Sequence, residues 1–406
     1  MIKSVMEKHA SRLALPVVLL FGLVTACAAP TGPTEPAISA KLDGGAKAGV
    51  VAFSFSRAIS IDYTQVPNTD QKNFPVLVSG TYAGPDPALD LRTTGNGGKV
   101  RSPSGYDVGF YTSGNCSTGK MKWETEAYNP VTGEVAYWVL VPTVSHTKST
   151  IFYICYGNSS ITTDQSSAAA VWDSHYLTVW HLADKGGLDL SNSADTKFAF
   201  TNSGPVASAP GKIGGGTNKF VDGTYYLDNA AVSIGRNGAV TISMWKKLLF
   251  ADGYDFGVED TRDHNHITFG MGASHDSPNS MTLWAPFFNE AFWYYAQEGP
   301  GGIDYTPYFD RWVYITCVYT AGTTKVKALY LDGSLVGSTA NGPTTTGPTT
   351  GFRIGQSRDN HGQDPSQFDE VRISNSVRSP DWIKTEFNNQ SNPASFYAFG
   401  AETLPH

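Results

Sequence analysis

The sequence is poor in charge. Asp, Glu, Lys and Arg make up 16% of 406 residues, and no Lys/Arg-rich run occurs. That excludes the basic footprint of a nucleic-acid binder or of a protein held to an anionic membrane by charge. A net charge of −7 suits a neutral ligand, or divalent cations held by carboxylates. Cysteine is scarce, at 4, so neither a dense disulfide framework nor a paired Cys-x-x-Cys metal site is present. No phosphate loop, His-Glu-x-x-His or Gly-x-Ser-x-Gly sequence occurs. Their absence weighs against an enzyme, although catalytic carboxylates can come from separate strands. Long helical periodicity is missing as well.

Aromatics, at 12%, together with 42 glycines and 23 prolines, supply rings for sheet cores and residues for many turns. The length suffices for two domains, each with its own core. The expected class is all-β, built as two β-sandwich domains.

Lys3, Lys8 and Arg12 form a positive leader, and Leu13 to Ala26 an apolar stretch too short to span a bilayer as a mature helix. Residues 1–26 therefore read as a signal peptide. The run Leu23-Val24-Thr25-Ala26-Cys27 resembles the bacterial lipobox, which implies lipidation of Cys27 after cleavage. The alternative is an ordinary signal peptide cut near Ala26 to Ala29. Residues 27–49 are rich in Ala, Pro, Gly and Thr and read as a flexible tether. The expected location is the cell envelope, at the outer membrane or cell surface, or secretion, with membrane contact through a lipid anchor only.

Residues 50–165 read as the first β-sandwich. Short strand signals around Phe53, Ile59, Phe74–Val78, Tyr106–Tyr111, Met121–Tyr128, Val135–Val141 and Ile151–Tyr156 are separated by turn residues such as Asn129-Pro130 and Thr132-Gly133. Asn73-Phe74-Pro75-Val76-Leu77-Val78, Tyr106-Asp107-Val108-Gly109-Phe110 and Trp123-Glu124-Thr125-Glu126 resemble a bacterial domain of unknown function that often precedes laminin-G-like modules. Glu124 and Glu126, two apart on a strand, share a face with Lys122 and Tyr128, which reads as solvated or calcium-bound; Met121, Trp123, Thr125 and Ala127 read as the core face. A retaining glycosidase pair at this spacing is the alternative. Cys116 and Cys155 fall in one domain and are a candidate disulfide in an oxidising compartment. Cys317 alternates with Ile315 and Tyr319 and reads as a buried free thiol.

Residues 170–403 read as the second domain. Val371 and Ile373 alternate with Glu370, Arg372 and Ser374, as in a half-buried strand. Ser379, Pro380 and Asp381 then open a helical turn, and Ile383 and Phe387 can dock it on a sheet. Asp332-Gly333 suits a two-residue hairpin. The stretch Phe368-Asp369-Glu370-Val371-Arg372-Ile373-Ser374, with Arg378-Ser379 and Trp382-Ile383 after it, resembles the closing strand of bacterial laminin-G-like modules. Further matches in order include Val179-Trp180-His181-Leu182, Phe220-Val221-Asp222-Gly223 and Phe352-Arg353-Ile354-Gly355. The resemblance implies a concanavalin A-like jelly roll. Calcium is a common ligand of that fold, which makes Asp189, Asp222 and Asp369 candidate ligands; turn formation is the alternative for Asp222. Laminarinase-type glucanases of this fold carry Glu-x-Asp-x-x-Glu, which is absent here.

Residues 255–298 form an insertion. His264 and His266 share a face if extended and can chelate a transition metal, or are loop histidines. Among its aromatic residues, Trp284 and Trp293 are the candidates for exposed, sugar-stacking rings, beside Pro286 and Asn289. The function expected is non-catalytic binding of a polysaccharide or a cell-surface protein through the laminin-G-like domain, with no nucleic-acid partner. The alternatives are a carbohydrate-active hydrolase or lyase using dispersed acids such as Glu124, Glu126, Glu259 and Asp260, and a structural envelope or adhesion spacer.

Overall fold

The computed structural model describes residues 52–405 apart from 86–87, 221–224, 235–238, 249–255, 261–264, 275–276, 285–305, 309, 321–325, 341–348 and 356–365; within 256–284 it describes the course of the strands. Among the described residues, the short apolar runs become strands. The first part carries β1 (Phe55–Ile61), β2 (Gln71–Thr81), β3 (Val108–Tyr111), β4 (Lys122–Tyr128), β5 (Glu134–Val144) and β6 (Thr150–Tyr156). The second carries β7 (Tyr176–Trp180), β8 (Thr201–Ser203), β9 (Ser208–Ile213), β10 (Gly215–Thr217), β11 (Tyr226–Ile234), β12 (Val240–Leu248), β13 (Phe256–Asp260), β14 (Asn265–Ser274) and β15 (Ser277–Trp284). It continues with β16 (Trp312–Tyr319), β17 (Val326–Leu331), β18 (Ser334–Ala340), β19 (Thr349–Ile354) and β20 (Ser366–Ser374). Two helices, α1 (Pro380–Ser391) and α2 (Pro393–Phe396), lead into β21 (Tyr397–Thr403). The fold is nearly all β.

The main sheets run β21-β1-β6-β3, β2-β5-β4, β18-β17-β16-β12-β20-β7 and β15-β14-β13-β19-β11-β8. The sheet β2-β5-β4 is a middle layer. Phe74, Val76, Leu77 and Val78 of β2 and Val135 to Val139 of β5 are buried without alternation, as a sheet covered on both faces requires. Adjacent residues show the two faces: Tyr137 packs on Phe110 at 5.4 Å, in the first sandwich, and Trp138 stacks on His181 at 5.7 Å, from the second module. One apolar cluster joins Phe110 and Phe152 of the first sandwich to Val179, Trp245 and Tyr314 on the outer face of the β18–β7 sheet. A separate core, with Trp180, Phe352, Phe368 and Val371, lies between the two six-stranded sheets of the jelly roll.

The last strand corrects the expected boundary of the second domain. β21 pairs with β1, Ser56 opposite Thr403 and Ile61 opposite Tyr397, and so completes the first sandwich. Without it β1 would present an unpaired edge. The return runs through α1. Its Asn389 accepts from Leu77 N at 2.7 Å and donates to Leu77 O at 3.0 Å, so a side chain satisfies the free edge of β2 as a neighbouring strand would. The helix starts where its sequence says: Ser379 Oγ accepts from Trp382 N at 3.1 Å, with Pro380 next. Ile383 packs with Val318 and Tyr330, and Phe387 lies 6.0 Å from Trp245. Asp332 and Gly333, at φ 50° and 71°, form the two-residue turn between β17 and β18.

A disulfide joins Cys116 to Cys155, and Cys317 is buried as a free thiol. The bridge closes a loop with a sequence separation of 39. Replacing both of its cysteines by serine is expected to lower stability by about 2–4 kcal/mol, read as a lower urea midpoint. An unchanged midpoint would mean that the cross-link adds nothing to the ties already made by β3, β6 and β1.

Candidate functional site: a sealed carboxylate–histidine cluster

Two bulges build the site. On β4, Thr125 faces Tyr137 and Ala127 faces Ala136, so Glu126 is the extra residue. On β20, Arg372 faces Ser243 and Asp369 faces Trp245, so Glu370 and Val371 together oppose Met244. Glu370 takes the left-handed conformation there, with φ 55°. A bulge re-aims side chains at such a point. It lets Phe368, Val371 and Ile373 all enter the jelly-roll core, while Glu370 and Arg372 turn outward to the middle sheet. In a regular strand Phe368 and Val371 would face opposite sides.

The outward groups do not meet water. Glu124 and Glu126 are 4% and 3% exposed, Glu370 and Asp369 0%, and Arg372 1%. The solvated face expected for Glu124 and Glu126 is therefore corrected, and with it the half-buried reading of β20. Both strands look polar on one face because that face is an internal contact between two sandwiches.

His181, directly after β7, stands at the centre. Its Nδ1 is 2.7 Å from Glu370 Oε1 and 3.4 Å from Glu126 Oε2; its Nε2 is 3.2 Å from Glu124 Oε2, without good hydrogen-bond alignment. Each carboxylate is also held from outside. Glu124 accepts from Trp172 Nε1 at 2.9 Å and Ser193 Oγ at 2.6 Å, and Glu126 from Trp138 Nε1 at 2.7 Å. Glu370 Oε2 takes Arg372 at 2.5 Å, and Arg372 reaches Glu386 at 2.6 Å. The Arg372 guanidinium lies over Trp138 at 4.3 Å and Trp172 at 5.0 Å.

The charges settle accordingly. Burial and the nearby Glu370 push Glu126 well above the usual carboxylate range. Burial does the same to Asp369, helped by Glu370 and Glu126. For Glu370 burial also pulls upward, but His181 and Arg372 outweigh it and hold the group below its ordinary value. Glu124 is likewise lowered against its burial, by His181. Burial opposes the imidazolium of His181, yet Glu370, Glu124 and Glu126 raise it well above its ordinary value.

Asp369 Oδ2 accepts the backbone N–H groups of Lys212 and Ile213 at 2.7 and 2.8 Å. Asp189 instead accepts from Ser191 and pairs with Lys185 at 2.6 Å. Asp369 and Asp189 thus have separate partners among the described residues. Trp284 ends β15 opposite Gly270, and His266 lies on β14. Cys27, Asp222, His264 and Trp293 lie outside the described residues. The residues that do converge, His181, Glu370, Arg372, Trp138 and Trp172, were missed as a site. Their signal was a density of charge on a strand, Asp369-Glu370-Val371-Arg372, read as an ordinary polar face.

Residues 219–384 match the family model of the concanavalin A-like lectin/glucanases superfamily, so the second module is a laminin-G-like, concanavalin A-like domain. No curated protein matches the chain. Among solved structures, domain 4 of AbnA, an extracellular arabinanase from Geobacillus stearothermophilus solved with arabinotriose, is similar at 19% identity over 52% of this chain and 98% of that domain, with a TM-score of 0.39. The botulinum neurotoxin type G receptor-binding domain is similar at 11% identity, covering 54% of this chain and 52% of that one, TM-score 0.36. The binding domain of paraclostridial mosquitocidal protein 1 is similar at 10% identity, covering 52% of each chain, TM-score 0.37. The chain spans about half the length of these two toxin domains.

Proposed function

We propose that the protein is an exported surface binder that recognises a glycan or a surface protein through the free sheet of its concanavalin A-like module, without catalysing a reaction. One observation carries this reading. The outer face of the β18–β7 sheet is consumed by the first sandwich, whereas the insertion adds β13, β14 and β15 to the edge of the other sheet, beyond β19. Among the described residues the apolar cluster of the first sandwich includes none from that sheet, and the added strands widen it. Burial of Glu124 and Glu126 supports the non-catalytic part, because a sealed carboxylate pair cannot flank a glycosidic bond.

The test is thermal unfolding of the full chain across a panel of polysaccharides, with EDTA and with calcium as separate arms. A ligand present at about 100 times its Kd stabilises the folded state by about 2.7 kcal/mol, which is a rise of about 3–4 °C in Tm for a chain of this size. The rise is expected for one glycan class and is expected to shrink in Trp284→Ala. New reducing ends in the mixture would replace this reading with the hydrolase one. A flat panel would leave a protein partner or a spacer role.

A further inference from the structure

The sealed cluster has the donor set of a metal site, and its outer contacts are those of one. We propose that Glu126, His181 and Glu370 bind a single first-row divalent transition cation at the junction of the two modules. One donor atom from each of the three lies within 4.8 Å of the others, and all three residues are buried. Such a triangle can close on one ion after small side-chain adjustments, at about 2.0–2.2 Å per bond. One imidazole nitrogen with two carboxylates suits zinc, cobalt or manganese better than calcium, which takes six to eight oxygens.

Three contacts do what outer partners of metal ligands do. Each candidate ligand is tied by one atom. Trp138 holds Glu126 Oε2, Arg372 holds Glu370 Oε2, and Glu124 Oε2 stands at His181 Nε2. The last contact is a carboxylate–histidine pair that would leave Nδ1 for the ion, and Glu124 is itself fixed by Trp172 and Ser193. The arrangement also contains an independent sign of a missing partner. Among the described residues, Glu126 Oε1, sealed from water, accepts no hydrogen bond, and Asp369 Oδ1 accepts none either. Buried carboxylate oxygens are rarely left so. Gly214, at φ 59°, lies over Glu126: a Cβ there would fall 2.1 Å from Oε1, and the left-handed backbone would strain any other residue. A site with these exposures is structural and tethers the first sandwich, through β4, to the jelly roll, through β20.

The full chain, stripped with a chelator and passed over a desalting column, would be titrated with Co²⁺ and followed by its visible absorption. Wild type is expected to take up about one equivalent. Glu126→Gln should abolish that uptake, and Glu124→Gln, which removes only the outer partner, should weaken it about 10–100-fold. His264→Ala with His266→Ala should leave it unchanged. Absence of Co²⁺ uptake by wild type, or loss of it in the His264/His266 variant alone, overturns the proposal. Where the glutamate variants do not fold, anomalous scattering from wild-type crystals grown with Zn²⁺ decides. A peak between Glu126, His181 and Glu370 supports the site; zinc-grown crystals without one refute it.

Discussion

Arg372→Met, measured in the presence of chelator, is expected to lower stability by about 3–5 kcal/mol. The side chain is 1% exposed and stands between Glu370 Oε2 at 2.5 Å and Glu386 Oε1 at 2.6 Å. Methionine fills much of the volume over Trp138 and Trp172, so the loss comes from the two carboxylates left facing each other away from water. The result is read by urea unfolding with tryptophan fluorescence, since both indoles border the guanidinium. Adding Glu386→Gln should recover part of the loss, because it removes one of the stranded charges. The coupling between the two changes is expected in the range of about 0.5–3 kcal/mol. A loss under about 1 kcal/mol for the single variant would mean that the network does not hold the modules together, and that the apolar contacts of Trp245, Tyr314 and Trp382 do so alone.

The fold was readable where a residue pattern answers to a local rule. Ser379-Pro380 opens a helix and Asp332-Gly333 turns a hairpin because capping and left-handed turn geometry depend on neighbours in the chain. The closing strand of the jelly roll was likewise found from its own residues. What pattern cannot reveal is which face of a strand meets another sheet. Period two separates an apolar from a polar face, and the polar one is assigned to water by default. Glu124 and Glu126 fell to that default, although Trp172 and His181, far along the chain, supply donors for them. The bulges at Glu126 and Glu370 are invisible for the same reason, since a bulge is a relation between two strands. The return of β21 to β1 is a pairing across nearly the whole described chain, and nothing in Tyr397–Thr403 names its partner.

The chain freed of divalent cations is expected to be most stable in acid, near about pH 4–4.5, and to lose stability on either side. The signs follow group by group. Glu124 and Glu370 have folded values below their unfolded ones. Their contribution is present above the unfolded value near 4.5 and is lost as pH falls through the folded values. Glu126 and Asp369 are raised instead. The folded state keeps their protons after the unfolded chain has released them, so stability falls as pH climbs from about 4–4.5 toward the folded values. His181 is raised too. Its contribution is complete below the unfolded value near 6.5 and is lost as pH rises through the folded one. Three groups therefore act together on the alkaline side. Thermal midpoints between about pH 3 and 9 in chelator should show a maximum near the acid end and a decline above it, and Glu126→Gln, which cannot release a proton, should make that decline shallower. Zinc should reverse it, because the cation displaces the proton from Glu126 and binds more firmly as pH rises. A midpoint that is flat from pH 6 to 9 in chelator, and identical in Glu126→Gln, would show that the cluster exchanges no protons on unfolding and that the buried charges are compensated by groups other than the ones named.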